Sequence, residues 1–138
     1  MAFQNPSDDE IRKLLQRVHR IAVVGLSPNA ARPSFGVSQF MQRAGYAIVP
    51  VRPRVAEVLG EPAYSTLADV PGKIDLVNVF RRAEEIDAVV DEAIRLQLPA
   101  IWIQLGIVNE AAAARAAAAG ITVVMDRCIK IEYLRLAA

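Results

Sequence analysis

The stretch IAVVGLSPNAARPSF, residues 21–35, decides the fold. Its first four residues, Ile21 to Val24, form an unbroken apolar run, the pattern of a parallel strand covered on both faces. Gly25 ends the run, Pro28, Asn29 and Pro33 break up the next segment, and a helix is expected to begin near Ser34. A strand, a turn and a helix N-terminus make an anion-binding geometry, because free backbone N–H groups and the helix dipole converge on one point. The dinucleotide fingerprint G-x-G-x-x-G is absent, since Gly25 is the only glycine before Gly36.

Working outward, strands and helices alternate. Ser7-Asp8-Asp9-Glu10 reads as a capping box, and Ile11, Leu14, Leu15 and Val18 recur at helical spacing, so a helix is predicted from about Asp8 to Arg17. A second helix, Ser34–Ala44, stops at Gly45, a usual residue just past a helix end. Strand two is Tyr46–Val51, Ser65–Val70 is a short helical turn, and strand three is Asp75–Phe80. A long helix comes next over Ala83–Gln97, then strand four at Ala100–Gln104. Asn109 caps an alanine-rich helix that ends at Gly120; strand five is Ile121–Met125, and an amphipathic segment, Ile129–Leu136, comes last. This alternation predicts an α/β fold of three layers, Rossmann-like and doubly wound. Its five-stranded sheet is mainly parallel, with helices on both faces.

The composition narrows the function classes. A length of 138 residues fits a single domain, 1–138, able to bury roughly 68–70% of its unfolded surface. A formal net charge of +1 offers no bulk attraction to nucleic acid or membrane. No apolar stretch approaches the ~20 residues of a membrane span. The polar, acidic start MAFQNPSDDE is unlike a signal peptide, and one cysteine cannot form an internal disulfide. The expected setting is the cytoplasm. One histidine and no Cys/His cluster predict no metal site.

In an open α/β sheet, ligands bind outside the carboxyl ends of the strands. Gly25, Ser27, Pro28, Asn29, Arg32, Pro33 and Ser34 come after strand one. Arg52, Pro53 and Arg54 come after strand two, and Arg81 and Arg82 after strand three. Gln104, Leu105 and Gly106 come after strand four; Asp126, Arg127 and Cys128 after strand five. Arginine after four of the five strands, in a chain of almost no net charge, points to an anionic ligand with more than one phosphate. Arg52 stands where NAD-binding units carry an acid for the ribose hydroxyls. It therefore favours a ribose bearing a phosphate, as in NADP or coenzyme A, and the single-glycine turn favours coenzyme A. The alternative roles are plain. Arg52 and Arg81 are also placed to pair with Glu57 or Glu84, Asp126 to act as a cap or an arginine partner, and Gln104 and Gly106 merely to end a strand. Trp102 reads as core and His19 as surface.

Taken together, IAVVGLSPNAARPSF, GYAIVPVRP, LGEPAYSTLADVP, DLVNVFRR and IWIQLGIVNEAAAARAAAAGITVVMDRCIKIE resemble the small bacterial and archaeal CoA-binding domain proteins. That family is similar to the N-terminal domain of the succinyl-CoA synthetase alpha subunit. The resemblance covers residues 10–136 and implies a Rossmann-like fold with coenzyme A lying across the strand ends. The family's first loop corresponds to Gly25, Ser27, Arg32 and Pro33, its V-x-P turn to Val51–Pro53, and its F-R pair to Phe80 and Arg81. Its Q-x-G motif corresponds to Gln104–Gly106 and its D-R-C motif to Asp126–Cys128. The chain departs from the family at Arg52, where Asn is usual; this either adds a phosphate contact or blocks the adenosine end. The synthetase's phosphorylated histidine belongs to a second domain. The only histidine here, His19, precedes strand one, so that reaction is not expected to carry over.

With no nucleophile–base pair in view, the sequence reads as a non-catalytic binder of coenzyme A or an acyl-CoA. Phosphates would sit at the 25–34 loop and its arginines, and the thiol end near Gln104, Gly106 and Cys128. Cys128 has two readings: a small packed hydrophobe, or a thiol placed to form a mixed disulfide with the CoA thiol. The alternatives are an NADP- or other nucleotide-binding enzyme, and a subunit lending a CoA site to a ligase-like partner chain. The edge of a small sheet makes a homodimer a further expected arrangement.

Overall fold

The computed structural model describes residues 3–138. In chain order the elements are α1 (Asp8–Arg17), β1 (Arg20–Val24), α2 (Pro33–Arg43), β2 (Ala47–Val51), β3 (Glu57–Val58) and β4 (Glu61–Pro62). Next come β5 (Leu76–Val79), α3 (Ile86–Arg95), β6 (Ala100–Gln104), α4 (Glu110–Ala118), β7 (Thr122–Arg127) and α5 (Ile129–Leu136). The main sheet has the order β2-β1-β5-β6-β7 with every pairing parallel, the doubly wound Rossmann-like arrangement. The strand order reverses direction between β1 and β5, and the crevice at that switch point is where open α/β sheets bind ligands.

Side chains alternate across the sheet and build two cores. Ala22 and Val24 of β1 face one layer, with Val77, Ile101 and Val123 of neighbouring strands and Val90 and Ala113 of α3 and α4. Ile21 and Val23 face the other, with Leu76, Trp102, Leu14 of α1, Met41 of α2 and Ile129 of α5. Trp102 is fully buried and donates its Nε1–H to the Arg127 carbonyl at 2.8 Å. The alanines of α4 make it thin, so Ala112, Ala113 and Ala116 sit at zero exposure against the sheet. No helix among the described residues is long and apolar enough to cross a membrane.

Several boundaries differ from the sequence reading for local reasons. The long helix predicted from Ala83 begins as a 3-10 turn at Ala83–Glu85, turns α-helical at Ile86, and ends before Gln97, which has a φ of +56°. β7 runs on to Arg127 through a bulge at Asp126, whose φ is +59°. The β3–β4 hairpin has no counterpart in the sequence reading. Its turn residues, Leu59 and Gly60, both take positive φ, the type I′ geometry usually signalled by Asn-Gly or Asp-Gly.

Both sheet edges are blunted. In β2, Pro50 lacks an N–H, which an edge strand tolerates. Its carbonyl accepts from the Tyr64 N–H, and the Arg52 N–H donates to the Tyr64 carbonyl. On the β7 edge the Asn5 amide behaves like one residue of an extra strand. Its Nδ2 donates to the Met125 carbonyl at 2.9 Å and its Oδ1 accepts from the Met125 N–H at 2.7 Å. Asn5→Ala leaves both half-buried backbone groups without this partner and should cost about 1–3 kcal/mol, read as a lower urea midpoint at unchanged m-value. An unchanged midpoint would show that the Asn5 clamp contributes nothing.

Candidate functional site

Gly25, the first residue after β1, sits where three strand ends meet. Its φ is +87°, and a Cβ built on it would collide with the Phe80 carbonyl oxygen at the end of β5. Its N–H donates to the Val51 carbonyl of β2 at 2.9 Å, and its own carbonyl accepts from Arg52 Nη1 at 3.2 Å. Only glycine satisfies both the positive φ and the close backbone approach.

The loop beyond Gly25 is held by its own short side chains. Ser27 N–H donates to Ser34 Oγ at 3.0 Å, Asn29 N–H to Ser27 Oγ at 3.1 Å, and Ala31 N–H to Asn29 Oδ1 at 2.9 Å. The Arg32 N–H donates to the Asn29 carbonyl at 3.0 Å. These bonds alter the anion-binding geometry expected from sequence. Much of the loop's N–H capacity is spent on its own rigidity, and Pro33 at the start of α2 has no N–H to offer. Positive charge therefore has to come from side chains.

It does. A compartment of about 460 Å³ is lined by Ser27, Pro28, Asn29, Pro53 and four arginines, Arg32, Arg52, Arg54 and Arg81, with no acid in its wall. None of the four enters an ion pair among the described residues, so neither Glu57 nor Glu84 takes up Arg52 or Arg81. A second polar compartment of about 280 Å³ shares Ser27, Arg32 and Arg52 with the first and adds Gly25, Pro33, Ser34 and Phe80. Arg52 lines both compartments while its guanidinium spans back to the Gly25 carbonyl.

A larger cleft of about 900 Å³ continues past Phe80 and Arg81 to Gln104, Gly106 and Cys128. Gln104 is buried, and its Oε1 accepts from Ile129 N–H and Asn78 Nδ2, both at 3.4 Å. A backbone N–H can only donate, so the oxygen is the inward atom and the NH₂ is the end left for the cleft. Asp126 is neither a cap nor an arginine partner. Its Oδ1 accepts from the Gly106 N–H at 2.8 Å and ties together the loops beyond β6 and β7. Cys128 is half-buried and stands at the N-cap of α5.

The residues expected to hold the cofactor, from Gly25, Ser27, Pro28, Asn29, Arg32, Pro33 and Ser34 through Arg52, Pro53, Phe80 and Arg81 to Gln104, Gly106 and Cys128, thus lie on three adjoining cavities. One strand-end arginine does not join them. Arg127 turns to Glu132 at 2.9 Å, because the Asp126 bulge re-aims the end of β7. Glu132 is nearly fully buried and also takes Arg135 Nε at 2.7 Å. Arg135 reaches on to Asp8, whose carboxyl it holds below the usual range through paired hydrogen bonds. This network anchors α5, one wall of the cleft, to α1. Sequence reasoning missed Val37, Ile107 and Ile131 as cleft residues. The one available signal was the helical spacing of Ile131, three residues after Cys128.

The strand-end loop makes a graded prediction. Gly25→Ala should cost more than the about 1–3 kcal/mol of a strained φ, because the new methyl meets the Phe80 carbonyl. Gly106→Ala has the same φ of +87° with nothing within 4 Å, and should show the φ cost alone. Equal urea midpoints for the two variants would exclude the close approach as a constraint.

A family described as CoA binding domain matches residues 19–134. The chain is 49% identical over 131 residues to YneT of Bacillus subtilis, covering 95% of this chain and 97% of that protein. A hypothetical protein from Pyrococcus horikoshii OT3 superimposes with a TM-score of 0.92 at 33% identity over 100% of both chains. The cell-free ID.343 structure from Thermus thermophilus superimposes with a TM-score of 0.90 at 33% identity, over 95% of this chain and 99% of that one.

Proposed function

This chain belongs to the CoA-binding domain family, and we propose that it acts as a single, non-catalytic binding unit that holds coenzyme A across its strand ends. The observation that carries this reading is the compartment of four arginines, without ion-pair partners among the described residues, beside the 25–34 loop in a chain of net charge +1. Like charges gathered without counter-ions repel one another, and a polyanion relieves that repulsion. The diphosphate lies at Ser27, Arg32 and Ser34, next to the start of α2. Arg52, Arg54 and Arg81 take the remaining phosphate charge, and the bidentate geometry of arginine suits phosphate oxygens. Arg52 thereby adds a phosphate contact. The pantetheine arm runs past Phe80 into the larger cleft, toward Gln104, Gly106 and Cys128.

Calorimetric titration tests this. Coenzyme A should bind saturably, and dephospho-CoA about tenfold or more weaker through loss of a charge-assisted contact. The Arg32→Ala, Arg81→Ala double variant, exposed or half-exposed at both sites and so expected to fold, should lose at least about 100-fold in affinity. NADPH binding more tightly than coenzyme A, or a double variant with unchanged affinity, would overturn the reading.

A further inference from the structure

The large cleft is built for more than a pantetheine arm. Clefts of roughly 300–1,000 Å³ enclose a whole drug-sized ligand, and this one measures about 900 Å³ without the two phosphate compartments. Much of its wall is apolar: Val37 of α2, Phe80, Leu105, Ile107, Cys128 and Ile131 of α5. Large hydrophobic side chains are exposed in only two segments among the described residues. Leu105 (57%) and Val108 lie on the loop after β6, and Ile131 (54%) and Leu134 lie on α5. Leu105 and Ile131 line the cleft. Exposed apolar side chains gathered at one site mark a surface that a ligand covers.

The polar groups set the chemistry of that ligand. Gln104 directs its NH₂ toward the cleft, a fixed donor for one carbonyl oxygen. Arg82, the other arginine of the cleft wall, is engaged by Glu84 at 3.5 Å and Glu85 at 3.9 Å, and both acids line the same cleft. Beyond Arg81, the described residues of the cleft wall leave no free cation for an acid group. We infer that the cleft takes coenzyme A as a thioester of an uncharged, apolar acyl group. The acyl chain lies between the 105–107 loop and α5, and the thioester carbonyl accepts from the Gln104 amide. This rests on the reading that the arginine compartments hold CoA phosphates.

The test is calorimetry of the whole chain with coenzyme A, acetyl-CoA, butyryl-CoA, hexanoyl-CoA and succinyl-CoA. Affinity should rise about two- to fourfold per methylene from acetyl to hexanoyl, the range for methylenes partly to fully buried. Butyryl-CoA should bind at least about tenfold tighter than succinyl-CoA, whose terminal carboxylate faces Glu84 and Glu85 unpaired. Ile131→Ser, at an exposed position, should flatten the dependence on chain length. Equal affinity for free and hexanoyl-CoA, or preference for the succinyl thioester, overturns the acyl assignment while leaving CoA binding intact. Failure of every CoA species to bind overturns the CoA reading as well.

Discussion

Gly25 and the Phe80 carbonyl approach so closely that no side chain fits between them, and the site hangs on that contact. β1 and β5 are neighbours at the point where the strand order reverses, so their ends form the floor of the crevice. The Gly25 N–H joins β2 to this floor through the Val51 carbonyl, and its own carbonyl receives Arg52. A single residue thereby sets the spacing of three strand ends, and with it the positions of the loop, the V-R-P turn and Arg81. A backbone held this tightly is a scaffold on which arginines can stand close together without the loops splaying apart.

Charge distribution makes the same point at longer range. The chain is almost neutral, yet its charges are sorted. Many of the acids pair elsewhere: Asp8 and Glu132 with Arg135, Asp87 and Asp91 with Arg115, Glu84 and Glu85 with Arg82. The arginines at the switch point enter no ion pair among the described residues. Surface ion pairs stabilise a fold by little, about 0–1 kcal/mol each, so this sorting matters more for the field it creates than for stability. The 27–32 loop, stiffened by Ser27, Asn29 and Ser34, keeps that field in one place. Little ordering is then left to be done when an anion arrives.

Much of this was legible in the sequence because local rules and tertiary needs agree there. The buried run Ile21–Val24 closed by Gly25, the Ser7–Glu10 capping box and the Asn109 cap all stand as read. What failed to show has physical causes. The Leu59-Gly60 turn carries no Asn or Asp to announce its positive φ, so the β3–β4 hairpin was silent. Strand five was read as ending at Met125; the bulge at Asp126 carries it two residues further and swings Arg127 away from the cavities. Val37, Phe40 and Met41 share one face of α2. Periodicity tells which face is apolar, but not whether another element covers it. Val37 and Ile131 lie where the cover stops, and that depends on how α2 and α5 flank the strand ends.

The same limit explains Asn78, the most unusual residue of the sheet. It sits in the middle of β5 between Val23 and Trp102, fully buried, where an apolar residue would pack at no polar cost. Burying an amide is unfavourable where it is not bonded; the Asn78 Nδ2 donates to Gln104 Oε1 at 3.4 Å, while its Oδ1 has no partner among the described residues. Gln104 in turn holds the Ile129 N–H, the first of α5. A central strand, the end of its neighbour and the start of the last helix are thus linked through one amide oxygen. An apolar residue at position 78 would remove one of the two bonds that orient Gln104 and leave the Ile129 N–H alone to hold its oxygen. Asn78 therefore belongs to the site although it touches none of the three site cavities. Its Nδ2 ties the middle of the sheet to Gln104 in the cleft wall.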